Sequence, residues 1–173
     1  MKELKDFLHL YLGCQMKHEN GKVVTLVGYI RPTDKCIYKE ANRMWNEEHT
    51  EDLQPILRPL SDMKAEDMIG LLMSTVPADM EDAPEADEWD VNMFYNDGGG
   101  MVDGNCAVGA DFSCRCHVGQ IAINLDGSIN YYGEDGELER SPNHPQAFLY
   151  LLSKGFDLFG FLDSGIAISK EKL

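Results

Sequence analysis

The side chains here with the richest chemistry are five cysteines, Cys14, Cys36, Cys106, Cys114 and Cys116, and five histidines, His9, His18, His49, His117 and His144. Cys106, Cys114, Cys116 and His117 suggest zinc, which prefers thiolate and imidazole ligands. Their spacing argues against it. No Cys-x-x-Cys knuckle occurs, and on one continuous strand His117 projects from the face opposite Cys114 and Cys116. Cysteines in a buried row also behave as small hydrophobes. A cysteine nucleophile with a histidine base needs partners that meet only in space, and no local signature marks such a pair. No catalytic residue, bound metal or cofactor is expected, and the four-residue Cys/His set is the alternative reading, a metal-binding or enzymatic protein.

The second chemical feature is a run of carboxylates. Asp79, Glu81, Asp82, Glu85, Asp87, Glu88 and Asp90 stand together with Pro77 and Pro84 and no basic residue, and Trp89 lies among them. Such a run is commonly a solvated loop. It can also imitate the phosphate backbone and occupy the basic channel of a nucleic-acid enzyme, with Trp89 as the anchor an interface wants. These eight residues are the candidate partner-binding set.

Two further motifs fail on spacing. Gly98-Gly99-Gly100 lacks the strand before it, the helix after it and the Lys-Ser/Thr of a phosphate cradle. Asp97, Asp103 and Asp111 lack the spacing of a calcium hand.

The bulk composition agrees with the acidic run. The chain has 173 residues, with 30 acidic against 15 basic side chains and a net charge of -15. That balance disfavours direct contact with nucleic acid or an anionic membrane and suits a protein partner with a basic surface. Residues 1 to 61 hold nine acidic and nine basic side chains, whereas residues 62 to 111 hold thirteen acidic and only Lys64. An odd cysteine count and a first segment broken by charge predict reduced thiols and no secretory leader. The C-terminal apolar run is interrupted by Lys154 and Asp157 before it reaches the ~20 residues of a membrane span. A soluble, cytoplasmic protein is expected.

The elements that must position these residues follow from periodicity. Leu4, Phe7, Leu8, Tyr11 and Leu12 predict an amphipathic helix over 2–12 stopped by Gly13. Lys22 to Ile30, after the turn pair Asn20-Gly21, predicts a strand. Cys36 to Tyr38 fits a short strand, and 38–49 fits a helical turn equally. Pro55 and Pro59 predict an extended segment at a sheet edge or outside a strand. A helix is expected over 63–73, an acidic insertion over 77–92 and a strand from Trp89 to Tyr95. Residues 96–104 are a connection.

Alternation from Phe112 to Ile123 predicts one long strand. Its turn resolves by register: a three-residue loop of Leu125, Asp126 and Gly127 pairs Ile123 with Ile129 and Ile121 with Tyr131, with Gly127 in the left-handed conformation. A last helix begins at Asn143 or His144, carries Pro145 in its first turn and ends at Lys154-Gly155, with a second helix after it.

Three segments carry a resemblance: PILRPLSDM from Pro55 to Met63, FLYLLSKGFDLFG from Phe148 to Gly160, and LHLYLGC from Leu8 to Cys14. They resemble small uncharacterised proteins of phages and integrated elements of gut bacteria, and together they span 29 of the 173 residues. Those proteins continue the Leu-Ser-Asp-Met segment with Thr and a run of Glu, where this chain has Lys64-Ala65-Glu66-Asp67. The resemblance implies a mobile-element origin and life inside a bacterial host, and it implies no activity.

The expectation is therefore a single α+β domain over 1–173: a small, largely antiparallel sheet packed against an N-terminal helix and a C-terminal helix pair, with an acidic insertion. The expected function is a non-enzymatic accessory protein that binds another protein, as an acidic inhibitor of a host defence or nucleic-acid-directed enzyme. A virion or assembly component is the further alternative.

Overall fold

The computed structural model describes residues 4–40, 45–76, 83–95, 106–115, 117–139 and 144–172. In chain order its elements are β1 (Gln15–His18), β2 (Val23–Ile30), β3 (Lys35–Lys39), β4 (Asn46–His49), β5 (Leu53–Leu57), α1 (Ala65–Thr75), β6 (Asp90–Tyr95), β7 (Cys106–Ser113), β8 (Val118–Asn124), β9 (Ile129–Gly133), β10 (Leu138–Glu139), α2 (His144–Ser153) and β11 (Ile168–Ser169). The class is α+β, with two mostly antiparallel sheets where one was expected. The chain divides into two compact units, Met1–Pro59 with Leu152–Leu173, and Leu60–Leu151. Each unit holds one sheet, and the division falls inside α2.

The first unit carries six strands in the order β11-β5-β1-β2-β3-β4. β1 and β2 form the hairpin announced by Asn20-Gly21: Gly21 has φ +85 and Asn20 Oδ1 accepts the Lys22 N–H at 3.0 Å. β3 occupies 35–39 and pairs with β4, so 46–49 is strand rather than helical turn. Pro55 and Pro59 predict an edge or a non-strand segment, and the structure differs: β5 is a strand lying between β1 and β11. β11 pairs only Ile168 with Ile56 and Ser169 with Leu57, so Pro55 stands beyond that short ladder and costs it no hydrogen bond.

The N-terminal helix is also replaced. Leu4–Asp6 and Leu8–Leu10 are two 3-10 turns, closed by Phe7 N–H to Leu4 O and Tyr11 N–H to Leu8 O. Phe7 packs on Phe159 and Phe161 with ring centroids 4.5 and 5.4 Å apart, and Tyr11 lies 6.0 and 6.1 Å from the same rings. Aromatic burial of this kind outweighs the small helix preference of so short a segment.

One helix, α2, stands where a pair was expected. It stops at Gly155, φ +75, whose N–H returns to Leu152 O at 2.9 Å. The chain then folds around Asp157, whose carboxylate accepts the backbone N–H groups of Phe159 (3.3 Å), Phe161 (3.0 Å) and Leu162 (2.8 Å). Those amides are taken by a side chain, and Gly160 and Gly165 adopt positive φ. Asp157 competes with the helix for its own backbone donors.

The second unit carries β10-β9-β8-β7-β6, all antiparallel, together with α1 and most of α2. α1 starts at Ala65, two residues later than its apolar stripe suggests, where Asp67 accepts the Lys64 N–H at 3.2 Å. Met68, Leu71 and Leu72 are buried with Val108, Ala110, Ile121, Ile123 and Ile129. The loop after β8 is the three-residue one: Ile123 faces Ile129, Ile121 faces Tyr131, and Gly127 has φ +82.

The long strand expected through Phe112 and Ile123 is two strands. The chain reverses at 114–117, where Cys114 N–H bonds His117 O at 2.8 Å, and Phe112 pairs with Gly119. Phe112 lies on β7 whereas Val118, Ile121 and Ile123 lie on β8, and the reversal between the two strands of this hairpin mimics continuous alternation. The expected acidic insertion is, in its described part, a 3-10 turn at Ala86–Glu88 and the start of β6. Residues 77–82 and the expected connection 96–104 lie outside the described residues.

Candidate functional site

The alternation of β6 puts Asp90 and Asn92 on one face of the second sheet and Val91 and Met93 on the other. Pairing carries the polar row across the sheet. Asp90 stands opposite Ser113, Asn92 opposite Asp111, and Asp111 opposite Gln120. These residues, with Val118, Gly119, Gly133 and Glu134, line a hollow of about 490 Å³. Gln120 Nε2 donates to Asp111 Oδ1 at 2.8 Å, while its buried Oε1 has no partner among the described residues.

The hollow therefore presents acceptors. Three carboxylates, Asp90, Asp111 and Glu134, line it with the Asn92 and Gln120 amides, and no lysine or arginine is among the lining residues. Ser113 has no histidine or lysine among them to take its proton, so the arrangement suits holding a donor-rich cation better than activating a nucleophile.

The acidic run leads into this hollow. Glu85, Asp87, Glu88 and Asp90 are all exposed, and Glu88 Oε2 accepts the Glu85 N–H at 2.8 Å. Arg115, from the β7–β8 turn, meets Glu88 at 3.6 Å and fixes the acidic turn beside that hairpin. Asp79, Glu81 and Asp82 lie outside the described residues. Trp89, expected as an interface anchor, is only 8% exposed and packs on Phe112 with centroids 5.8 Å apart. Its ring fastens the turn to the sheet, so the surface it leaves outside is carboxylate.

Charge separates with the fold. The first unit holds twelve acidic and twelve basic side chains, and the second holds eighteen and three, so the whole net charge of -15 belongs to residues 60–151. Asp111, Gln120 and Glu134 are site residues that the sequence reading did not single out as a group. The signal was present in the polar Asp111 interrupting the apolar β7, and it becomes legible once the reversal at 114–117 pairs it with Gln120.

The Cys/His set does not assemble. Cys106 is buried at the far end of β7 from Cys114, roughly 25 Å away at ~3.3 Å per residue, where zinc ligands sit ~2.3 Å from one ion. Cys116 lies outside the described residues. Cys114 Sγ and His117 Nδ1 do meet at 4.0 Å across the turn, contrary to the opposed faces expected on a continuous strand. Among the described residues no three His, Cys, Asp or Glu side chains are arranged to hold a metal ion.

The buried thiols are poor nucleophiles. Burial pushes Cys14 and Cys106 above the ordinary thiol range, and burial with the Asp34 carboxylate pushes Cys36 up to about 12. His18 accepts the Asn20 N–H through Nδ1 at 3.1 Å and faces Glu48 at 3.6 Å. No helix among the described residues is long and apolar enough to cross a membrane. Comparison with protein-family profiles, curated proteins and solved structures returned no match.

Proposed function

We propose that this chain is a non-enzymatic binding protein whose acidic unit, residues 60–151, engages a basic surface on a protein partner. The observation that carries the reading is the confinement of the whole net charge to one unit, with an acceptor-lined hollow at the end of its acidic run. A lysine or arginine side chain of the partner fills the hollow, and Glu85, Asp87 and Glu88 flank it. Carboxylates spread over a sheet and an adjoining turn offer a basic channel what a phosphate backbone offers it, so the partner is a nucleic-acid-directed or defence enzyme, held as by an inhibitor. The resemblance to phage and mobile-element proteins supports a bacterial host cytoplasm as the setting.

Competition tests this reading. The intact chain, immobilised, is incubated with bacterial host lysate at low ionic strength, and bound protein is challenged with a duplex oligonucleotide. Release of a specific protein by the duplex is the expected result. A captured protein that duplex DNA at saturating concentration leaves in place contradicts the nucleic-acid-mimicking reading.

A further inference from the structure

The polar face of the second sheet runs out to an edge. In the order β10-β9-β8-β7-β6, β6 has a strand neighbour on one side only among the described residues. Alternate N–H and C=O groups along its other side therefore face away from β7. The other strands at sheet ends are shorter: four residues in β4 and two each in β10 and β11, against six in β6. In β4, Glu47 meets Lys35 at 3.6 Å and Glu48 meets His18 at 3.6 Å, so its carboxylates are engaged within its own sheet.

Proteins protect such edges with lysine, proline, a bulge or a covering element. β6 reads DVNMFY from Asp90 to Tyr95, without lysine or proline, and it pairs with β7 residue for residue from Asp90–Ser113 to Tyr95–Val108 without a bulge. Its two faces differ. Val91 and Met93 are half-buried, and Tyr95 on the same face donates to Met63 O at 2.7 Å, so the chain leading into α1 lies on that side. Asp90 and Asn92 are exposed on the other face and form the edge wall of the acceptor-lined hollow. A strand added beside β6 has its residues ~4.5–5.5 Å from Asp90 and Asn92. Asp111 lies one strand further, at ~4.8 Å per strand, a distance that a long lysine or arginine side chain spans.

From this geometry we infer that the edge of β6 takes up an extended segment of the partner as an added strand, with lysine or arginine at alternate positions whose side chains enter the hollow. The inference rests on the proposed binding of a basic partner by the acidic unit and adds its mode. Backbone pairing along β6 supplies affinity, and the carboxylates read every second side chain. A second copy of this chain is a poorer occupant, because antiparallel pairing of β6 with β6 sets two carboxylate-lined hollows side by side on one face.

Fluorescence anisotropy of labelled synthetic peptides of about eight residues, titrated with the full chain at one ionic strength, tests it. One peptide alternates lysine with threonine, and a second of the same composition has its lysines first and its threonines after. Saturable binding of the alternating peptide is expected, about tenfold or more tighter than that of the block peptide. Asn92→Lys, at an exposed position whose new cation occupies the hollow, is expected to weaken it by about tenfold or more. Backbone N–H groups point alternately to the two sides of a strand, so backbone N-methylation of all the lysines, or of all the threonines, removes the donors of one side. One methylated peptide is expected to lose binding and the other to retain it. Equal binding of the alternating and block peptides, equal behaviour of the two methylated ones, or unchanged binding in folded Asn92→Lys overturns strand addition and leaves charge-based binding by the acidic unit standing. Absence of saturable binding up to ~1 mM overturns it too, while release of the captured partner by duplex still decides the proposed function. A chain that sediments as a dimer and binds no peptide has its edge filled by a second copy, which equally overturns the inference.

Discussion

Asp157 is the residue on which the C-terminal segment turns. Its carboxylate receives three backbone N–H groups, so Asp157→Ala strands those donors and converts a fixed loop into one that must find water. The expected cost is about 2–3 kcal/mol, seen as a Tm lowered by about 4–12 °C, with Asp157→Asn losing less because one amide oxygen remains. Cys36 tests burial by pH. Its folded thiol titrates near 12 against an ordinary value of 9.0, so the native state keeps a proton that the unfolded chain releases. Stability from this group is complete below about pH 9 and is lost as pH rises from there to about 12. Cys14 and Cys106 shift in the same direction. Unfolding by urea across that range is expected to show falling midpoints, with a shallower fall in Cys36→Ala, and an unchanged slope in that variant contradicts the assignment. At this scale the sequence was legible where a residue type has one main use. Gly127, Gly155 and the loop at 125–127 were readable because left-handed backbone and register leave few choices. Asp157 was not, since nothing in its type says whether it faces solvent or gathers amides.

Elements show where periodicity succeeds and where it misleads. β2 followed from β-favouring residues after a turn pair, β6 from its apolar and aromatic content, α2 from its apolar run bounded by Pro145 and Gly155, and the β8–β9 register from pairing apolar with apolar residues. The long strand over 112–123 failed because two strands of a hairpin present the same alternation as one, and with no glycine or proline at 114–117 the reversal carries none of the usual turn marks. Two 3-10 turns replaced the first helix because Phe7 and Tyr11 are held by Phe159 and Phe161, contacts between opposite ends of the chain that no local window contains. α1 offers a test at this scale. A methyl group at Gly70 collides with the hydroxyl and ring of Tyr150 on α2, so this glycine is the gap that lets the tyrosine in. Gly70→Ala is expected to destabilise by about 1–3 kcal/mol despite its better helix propensity. In a Tyr150→Leu background the same change is expected to cost nothing or to stabilise by up to about 1 kcal/mol. Equal losses in both backgrounds, measured by denaturant unfolding, rule out the collision as the cause.

The whole molecule joins a charge-balanced unit and one that bears the entire net charge of -15. The charge step near residue 62 was legible in the sequence, and its extent past residue 111 was not: the unit that reaches 151 also holds Asp126, Glu134, Asp135 and Glu137, on the strands and turns that follow β7. Exposed carboxylates kept at such density repel one another, a cost that a basic partner relieves and salt screens. The direct measurement is a comparison of two variants with the same change in net charge. One neutralises Glu85, Asp87, Glu88 and Asp90 to their amides in the acidic unit, and the other neutralises the exposed Glu19, Glu47, Glu51 and Asp163 in the balanced unit. Capture of the partner by each immobilised variant is then compared with capture by the parent chain at one ionic strength. Loss of capture in the first variant and retention in the second is the predicted result; capture retained by both, or lost equally by both, contradicts the assignment of binding to the acidic unit.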